Sequence, residues 1–431
     1  MMQKHFKIFI LLFLTQGILM SATLKEIHNN NTNIPVIFEK NKNLPIFNLQ
    51  LVFQNSGYIN DQKNIGITNL TAKILNEGSK KKGAINFARD LENNAISLHT
   101  STGFETFVIE ISCLKSEYTL ALDYLTQLLQ DPNLTLETLE KIKLLQISKL
   151  QQKENDFDYI ASKNLKKMQY KNTALEYSRS GDIKHIEKIQ LKDIKKQLAT
   201  ILNLDNLIVV VGGDISFKEF KNDIKDILTN IKPQEKTSLQ HIEISRKTQK
   251  NTIIKDTEQS YIYFSSPFDI QYDSKESYKA KVASFILGGS GFGSRLMEEI
   301  RVKNGLAYSA YGQIENNKSY SHFTGYLQTK LDNTKKAKKM VSTIVNDFVK
   351  NGVTQEELQA AKNFLMGSEP LRTETFSQRL NRAFHLYYKN LAFDYPKKEL
   401  DMISKLSLDD LNSFIKKHKE IEKLSFSIVT K

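Results

Sequence analysis

The segment that decides the fold is GITNLTAKILNEGS, residues 66–79. Leu70, Ile74 and Leu75 are spaced to lie on one side of a helix, which predicts a helix over residues 68–76. A glycine opens the segment and a Gly-Ser pair closes it, as is common at the end of a helix. Three residues that do not belong to this apolar set then determine what chemistry the helix can offer: Asn69, Ala72 and Lys73.

The elements around this helix predict an α+β fold. Residues 35–38 and 46–53 are predicted strands, separated by Asn-Lys turn residues. Residues 135–153 are a predicted helix with an apolar stripe that consists of Leu139, Ile142, Leu145 and Leu150. Further on, four aromatic residues are predicted to lie on helices and belong to the core, namely Phe376, Phe384, Tyr387 and Tyr388.

The chain repeats itself at an interval of about half its length. Residues 186–194, IEKIQLKDI, recur as residues 403–411, ISKLSLDDL, and an apolar strand is predicted after each copy. Residues 134–139 and 353–358 are a second matching pair. Because one copy is large enough to own a core, the repeat indicates a duplicated domain. We expect halves of residues 23–231 and 252–431, joined by a polar linker over residues 232–251.

The first 22 residues have the layout of a secretory signal peptide. A basic start is followed by an apolar run over residues 8–14, too short to span a bilayer, and then by Ser21-Ala22. An amphipathic helix or an uncleaved anchor is the alternative. Cys113 is the only cysteine, so no disulfide can form within the chain, and it lies in an apolar, strand-like run. We therefore predict export, to a bacterial periplasm, with Cys113 as a buried small hydrophobe.

The net charge of +13 does not indicate a nucleic-acid-binding protein. The excess is mostly lysine scattered along the chain, whereas nucleic-acid proteins tend to concentrate lysine and arginine on one element. We instead expect the lysines to form a solvent-exposed surface. No nucleic acid is predicted as a partner, and no integral membrane segment is predicted once the signal peptide is removed.

Several segments in one order resemble the insulinase (pitrilysin) family of zinc peptidases, in the branch that includes the mitochondrial processing peptidase. In the first half they are residues 43–50, Gly57 and residues 66–79. In the second half they are GGSGFGSRL at residues 288–296, EIR at 299–301, GLAYS at 305–309 and AKNFLMGS at 361–368. The resemblance implies two similar α/β-sandwich halves that enclose a chamber, like a clamshell.

The resemblance also implies a zinc site in the first half, which this chain lacks. The family holds zinc with a His-x-x-Glu-His helix and a glutamate on a later helix. Here Asn69, Ala72 and Lys73 occupy the three helix positions, and no Asp or Glu occurs from residue 142 to 152. An ammonium repels a dication and alanine cannot act as a base. No metal and no catalytic residue is therefore predicted in this chain alone.

The second half retains the residues that the family uses to contact the peptide. Arg301 and Tyr308 occupy the places of an arginine and a tyrosine that can hydrogen-bond peptide carbonyls, beside a loop that includes Gly289 and Gly291. A surface cation and a packing tyrosine are the alternative. The Gly-rich loop lacks the Lys-Ser/Thr that follows a phosphate loop, so nucleotide binding is not expected.

These features predict a zinc-less subunit of an exported peptidase heterodimer. It would be inactive alone, bind an extended peptide, and complete the active site of a homologous zinc-containing partner through Arg301 and Tyr308. The family implies that the segment over residues 98–107 adds a peptide as a strand. His99 and Glu105 flank it but are too few to form a metal site. The alternative is a non-enzymatic peptide-binding or assembly scaffold, and a hydrolase with unfamiliar ligands is a third possibility.

Overall fold

The computed structural model describes residues 22–29, 31–61 and 63–431. The predicted signal peptide lies outside these residues, apart from Ala22. The strands of the first sheet are β1 (Thr23–Asn29), β2 (Thr32–Lys40), β3 (Ile46–Gln54), β4 (Ser97–Thr102), β5 (Thr106–Leu114) and β6 (Leu207–Gly213). They lie in the order β1-β2-β6-β3-β5-β4, with β2 and β6 parallel and the other neighbours antiparallel.

The helices of this part of the chain cover one face of the first sheet or extend beyond it. They are α1 (Ile67–Leu75), α2 (Gly83–Asn93), α3 (Tyr118–Gln130), α4 (Leu136–Gln152), α5 (Phe157–Gln169), α6 (Ile183–Lys188), α7 (Leu191–Ile201), α8 (Phe217–Asp223) and α9 (Lys225–Thr229). The predicted strands at 35–38 and 46–53 and the predicted helices at 68–76 and 135–153 are confirmed as β2, β3, α1 and α4.

The second sheet repeats the order of the first without an equivalent of β1. Its strands are β7 (Lys250–Ile254), β8 (Gln259–Pro267), β9 (Ala307–Asn316), β10 (Ser321–Lys330) and β11 (Ser425–Thr430), in the order β7-β11-β8-β10-β9. Its helices are α10 (Ser277–Ser284), α11 (Arg295–Met297), α12 (Thr334–Asn351), α13 (Gln355–Gly367), α14 (Phe376–Tyr388), α15 (Tyr395–Lys405) and α16 (Leu408–Lys417). Two π-helical turns, Phe285–Gly289 and Glu298–Lys303, follow α10 and α11.

The predicted α+β class and internal duplication are confirmed. The two copies of the repeated sequence lie in α6–α7 and α15–α16, and the strand after each copy has equivalent neighbours: β6 lies between β2 and β3, and β11 lies between β7 and β8. The other repeated pair begins α4 and α13. There, Thr135 and Thr354 each accept a hydrogen bond from a backbone amide three residues on, at 3.1 and 3.2 Å. An N-cap threonine satisfies an amide that the helix leaves free, so both copies start their helix with the same kind of cap.

One helix of each half packs on the sheet of the other. Helix α5 lies against β8 and β11, where Asn164 donates to Ser427 Oγ at 2.9 Å and Tyr263 donates to Asp158 at 3.0 Å. Helix α14 lies against β2 and β6, and Phe376, Leu380 and Phe384 belong to an apolar cluster with that sheet. The predicted core positions of Phe376, Phe384 and Tyr388 are confirmed, and Tyr387 packs partly buried beside them.

The exchange of helices interlocks the two halves. On α14, Arg379 donates to the buried carboxylate of Glu39 at 2.8 Å. Burial raises the pKa of Glu39, and the guanidinium of Arg379 acts against that rise. Each half has its own apolar core beneath its sheet, and Cys113 is buried in the first of them. Burial raises the pKa of its thiol to about 11, as expected of a thiol that serves as a small apolar group.

Candidate functional site

Helix α1 begins at a buried carboxylate that the sequence analysis did not single out. Asp61 accepts hydrogen bonds from the backbone amides of Gly66 and Thr68, at 3.1 and 3.3 Å, and from the hydroxyl of Thr68. Gly66 has φ 90°, and a side chain there would meet Gly181 and Ile186 at about 3 Å. Burial raises the pKa of Asp61 to about 7. These hydrogen bonds hold the start of α1 in place. Any side chain of this helix that binds a metal or a substrate would depend on them for its position.

The three positions of the missing zinc motif face helix α4. The side-chain amide of Asn69 donates to Gln146 Oε1 at 3.1 Å, and Lys73 Nζ donates to the same oxygen at 2.5 Å. The amide of Gln146 donates in turn to the carbonyl of Ser180 at 2.7 Å. Gln146 is 1% exposed and Ala72 is buried beside this group. The structure therefore brings Asn69, Ala72 and Lys73 together and adds Gln146 as their partner.

Gln146 was not predicted from the sequence, because a zinc ligand on this helix would be acidic and glutamine is not. The predicted apolar stripe was also wrong in one member: Leu145 is 49% exposed, and its neighbour Gln146 takes the inward position between Ile142 and Leu150. Residues 139, 142, 146 and 150 follow the helical spacing better than the predicted set. A polar residue inside that stripe is the signal that could have identified Gln146.

The donor set does not fit a zinc ion. Two nitrogen donors, one an ammonium, converge on a single amide oxygen, whereas zinc needs lone pairs from imidazole, thiolate or carboxylate. Burial lowers the pKa of Lys73, and three neighbouring cations lower it further, namely Lys149, Arg179 and Lys153. Among the described residues, no three His, Cys, Asp or Glu side chains are grouped so that they could hold a metal. The surroundings of Lys73 are therefore suited to anions.

The edge of the first sheet beside α1 already has partners for its backbone. Strand β4 pairs with β5 on one side. On its other side, Asn76 donates to the carbonyl of Thr100 at 2.9 Å and accepts from the amide of Thr100 at 2.7 Å, as a neighbouring strand would. Arg179 donates to the carbonyl of Thr102 at 3.3 Å. A peptide could pair with this edge only by displacing both side chains.

His99 and Glu105 have no common ligand position. His99 lies opposite Glu110 in the β4–β5 register, and Glu105 accepts a hydrogen bond from the backbone amide of Ser319 in the second half at 2.9 Å. The predicted strand-like segment at 98–107 is β4, a turn and the start of β5. Glu105 thus connects the two halves.

The Gly-rich loop and the residues after it form a second cluster. A side chain at Gly288 would meet the backbone of Gly312 on β9 at 2.7 Å, so the loop packs closely on the edge of the second sheet. Gly291 has φ 68° and open space around it, and the hydroxyl of Ser294 donates to its carbonyl at 2.8 Å. Gly289 has ordinary backbone angles and lies in the π-helical turn before the loop. The loop therefore projects from a π-helical turn that is packed closely against β9.

Arg301 and Tyr308 are brought together at this loop. The guanidinium of Arg301 lies 4.5 Å from the ring centre of Tyr308 and 4.7 Å from that of Phe292. Tyr308 is the second residue of the edge strand β9 and is 82% exposed, and Phe292 is exposed too. Cation–π attraction to the two rings holds the guanidinium without using its N–H groups as hydrogen-bond donors. Phe292 is a member of this cluster that the sequence analysis did not name.

The two clusters are separate within this chain. The hydrogen bonds, ion pairs and ring contacts of the described residues do not connect Arg301, Tyr308 or Phe292 with Asn69, Lys73 or Gln146.

In the part of the chain that the structure describes, no helix combines the length and the apolar character needed to cross a membrane.

Comparison with known proteins identifies the family. Residues 36–182 match the family described as Insulinase (Peptidase family M16), and residues 188–365 match Peptidase M16 inactive domain. The chain is 43% identical to the non-peptidase homolog YmxG of Helicobacter pylori over 99% of this chain and 98% of that protein. It is 21% identical to the human mitochondrial-processing peptidase subunit beta, over 37% of this chain and 32% of that one.

A solved structure supports the same assignment at the level of the fold. The peptidase M16 inactive domain from Pseudomonas fluorescens superposes with a TM-score of 0.86 at 23% identity, over 95% of this chain and 98% of that chain. Its similarity extends across both sheets and their helices. The chain therefore belongs to the insulinase (M16) peptidase family, as a homolog of mitochondrial-processing-peptidase type that lacks the zinc motif.

Proposed function

We propose that this chain is the zinc-less subunit of an exported peptidase heterodimer. It binds the peptide substrate and completes the zinc site of a homologous partner with Arg301 and Tyr308. The observation that carries the proposal is the guanidinium of Arg301 within 5 Å of the exposed rings of Tyr308 and Phe292 at the edge of the second sheet. The partner supplies the metal, the water and the base.

The first half supports this division of labour because it has lost each part that hydrolysis needs. Gln146 engages Asn69 and Lys73 in hydrogen bonds, and alanine stands where the base would be. The edge strand that would hold a peptide has Asn76 and Arg179 on its backbone. A relative that is 43% identical carries the name of a non-peptidase homolog, which agrees with this loss.

The second half supports it because Arg301 and Tyr308, the two residues that the family uses to contact the peptide, lie side by side at the edge of the second sheet. The phenol of Tyr308 and the guanidinium of Arg301 can donate to the carbonyl oxygen of a scissile peptide, on which negative charge develops during attack. The rings of Tyr308 and Phe292 both lie within 5 Å of the guanidinium and restrict it before the substrate arrives, so less entropy is lost on binding.

Export is the remaining part of the proposal and rests on the amino-terminal sequence. The basic start, the apolar run over residues 8–14 and the small residues Ser21-Ala22 are typical of a signal peptide. Mass spectrometry of the mature amino terminus from the native host tests it. A terminus at Thr23 agrees with export, and retention of residues 1–22 contradicts cleavage.

The test of the shared site is a mixed complex. The chain is co-expressed with a homolog from the same host that carries His-x-x-Glu-His, and peptide hydrolysis by the purified pair is measured. We expect Arg301→Ala to lower kcat about 10²- to 10³-fold, as does loss of one oxyanion donor. Lys303→Ala is the control, since Lys303 is exposed on the same helical turn and forms an ion pair with Glu299.

Three results would decide between the proposal and a scaffold. Loss of turnover in Arg301→Ala with an unchanged amount of complex supports the shared site. Unchanged turnover in a pair that assembles contradicts the role of Arg301. A chain that forms no complex with any such homolog, and binds peptides without hydrolysis, is a non-enzymatic scaffold instead.

A further inference from the structure

A cavity of about 290 Å³ lies where the two halves meet, between α5 and the second sheet. Ser162, Lys166 and Gln169 line it from one face of α5. The opposite wall is built mainly from tyrosines of the second sheet, namely Tyr263, Tyr311 and Tyr326. Its volume equals about ten waters and is close to the lower end of ligand pockets in proteins, which begin at roughly 300 Å³.

Two buried polar side chains in the cavity wall have no hydrogen-bond partner among the described residues. Gln169 is 2% exposed, and both the oxygen and the nitrogen of its amide are unpaired. The buried hydroxyl of Ser265 on β8 is unpaired as well. A buried amide without partners costs about 1–3 kcal/mol, so its presence in a native protein calls for a partner that the chain itself does not provide.

The charges around the cavity indicate which kind of partner this is. Glu315 is already engaged, because Gln313 donates to it at 3.0 Å, Tyr320 donates at 3.2 Å and His322 lies 3.4 Å away. These contacts, with His322 first, lower the pKa of Glu315 to about 2. By contrast, the side chain of Lys166 forms no hydrogen bond or ion pair within the described chain, and burial lowers its pKa while the charge of Glu315 acts against that change. Most of the polar groups that lack a partner can donate a hydrogen bond, and the charged group that lacks a partner is positive.

We propose that this cavity binds a small organic carboxylate with a planar apolar body. The carboxylate accepts hydrogen bonds from Lys166 Nζ and from the side-chain amide of Gln169. The hydroxyl of Ser265 can donate a hydrogen bond to the carboxylate or accept one from a neighbouring amide. The planar body packs on the tyrosine wall, where the rings of Tyr263 and Tyr326 already stack at 5.5 Å. Free aromatic acids and the carboxyl-terminal residue of a peptide share this chemistry.

The site differs from the one proposed above. It uses α5 and the second sheet, whereas Arg301 lies in the π-helical turn before β9 and Tyr308 at the start of β9, and neither lines the cavity. Because its walls come from both halves, an occupied cavity also stabilises their contact. The proposal does not rest on a peptidase partner and holds equally if the chain is a scaffold.

The test uses two probes that differ only in charge. Binding of N-acetyl-tyrosine and of N-acetyl-tyrosinamide to the purified full-length chain is measured by titration calorimetry and ligand-observed NMR. We expect the acid to bind at millimolar concentration or below, and the amide to bind at least tenfold more weakly. Equal binding of the two probes, or no binding of either, would overturn the proposal.

Variants locate the binding site. Lys166→Met and Gln169→Leu each keep the approximate volume of the side chain. Each should weaken binding of N-acetyl-tyrosine at least tenfold. Lys167→Met is the matched control, since Lys167 is the next residue on α5 and is exposed. Binding that survives both cavity variants contradicts the assignment, even if one of them folds poorly.

A third probe separates the two sources of the carboxylate. It is a pentapeptide that ends in tyrosine with a free carboxyl group. If it binds as well as N-acetyl-tyrosine, the cavity takes peptide ends; if only the small acid binds, it takes a free aromatic acid. Both results support the carboxylate site.

Discussion

Replacement of Gln146 by leucine tests whether the former metal positions have become a structural network. The change keeps the size of a fully buried side chain but removes the acceptor that Asn69 and Lys73 share and the donor to Ser180. Loss of the hydrogen bond to the ammonium costs about 1.5–3 kcal/mol, and each neutral bond costs about 1 kcal/mol. Lys73 is only half buried and regains water, so we expect a total near 3 kcal/mol.

The assay is urea unfolding followed by circular dichroism, with Gln151→Leu as the control. Gln151 lies on the same helix and is exposed, so its replacement should change the free energy of unfolding by no more than about 0.5 kcal/mol. Lys73→Met alone and combined with Gln146→Leu completes a double-mutant cycle, and we expect a coupling energy of about 1–3 kcal/mol. A Gln146→Leu chain as stable as the control would refute the network.

Two further predictions concern the same helix. A chain with Asn69→His, Lys73→His and Gln146→Glu should bind one zinc ion, because the three positions already converge, and metal analysis after dialysis should find zinc there but not in the unaltered chain; equal metal contents would contradict this. Burial raises the pKa of Asp61 to about 7, so the folded chain binds its proton more tightly than the unfolded chain, and stability falls as the pH rises from about 4 to about 7. Asp61→Asn should flatten that part of the stability profile, by up to about 4 kcal/mol, and an unchanged slope in urea unfolding between pH 4 and 8 would count against this origin.

The positions of the missing zinc ligands and the cluster of Arg301, Tyr308 and Phe292 differ in whether their side chains have partners within this chain. Around α1, each lost ligand has been replaced by a residue that takes part in a new contact, as Asn69 and Lys73 do with Gln146. At the edge of the second sheet, the partly buried Arg301 lies against the rings of Tyr308 and Phe292, and both of these rings are exposed. This asymmetry favours a chain that acts with a partner over a peptidase that has simply decayed.

The sequence by itself determined the fold class, the duplication and the loss of the zinc ligands. These features depend on local information: apolar spacing predicts a helix, a threonine begins one, and a ligand is absent if its residue type is absent. Arg301 and Tyr308 could be proposed as a pair because only six residues separate them and a family pattern includes both.

Only the tertiary structure decided which residues meet across long stretches of chain. The bond between Gln146 and Lys73, the closure of the β4 edge by Asn76, the exchange of α5 and α14, and the cavity at Gln169 all join segments that are far apart or on different elements. Such contacts depend on the rotation of each helix about its axis. A one-residue error, such as Leu145 for Gln146, turns a helix by about 100° and exchanges a buried position for an exposed one.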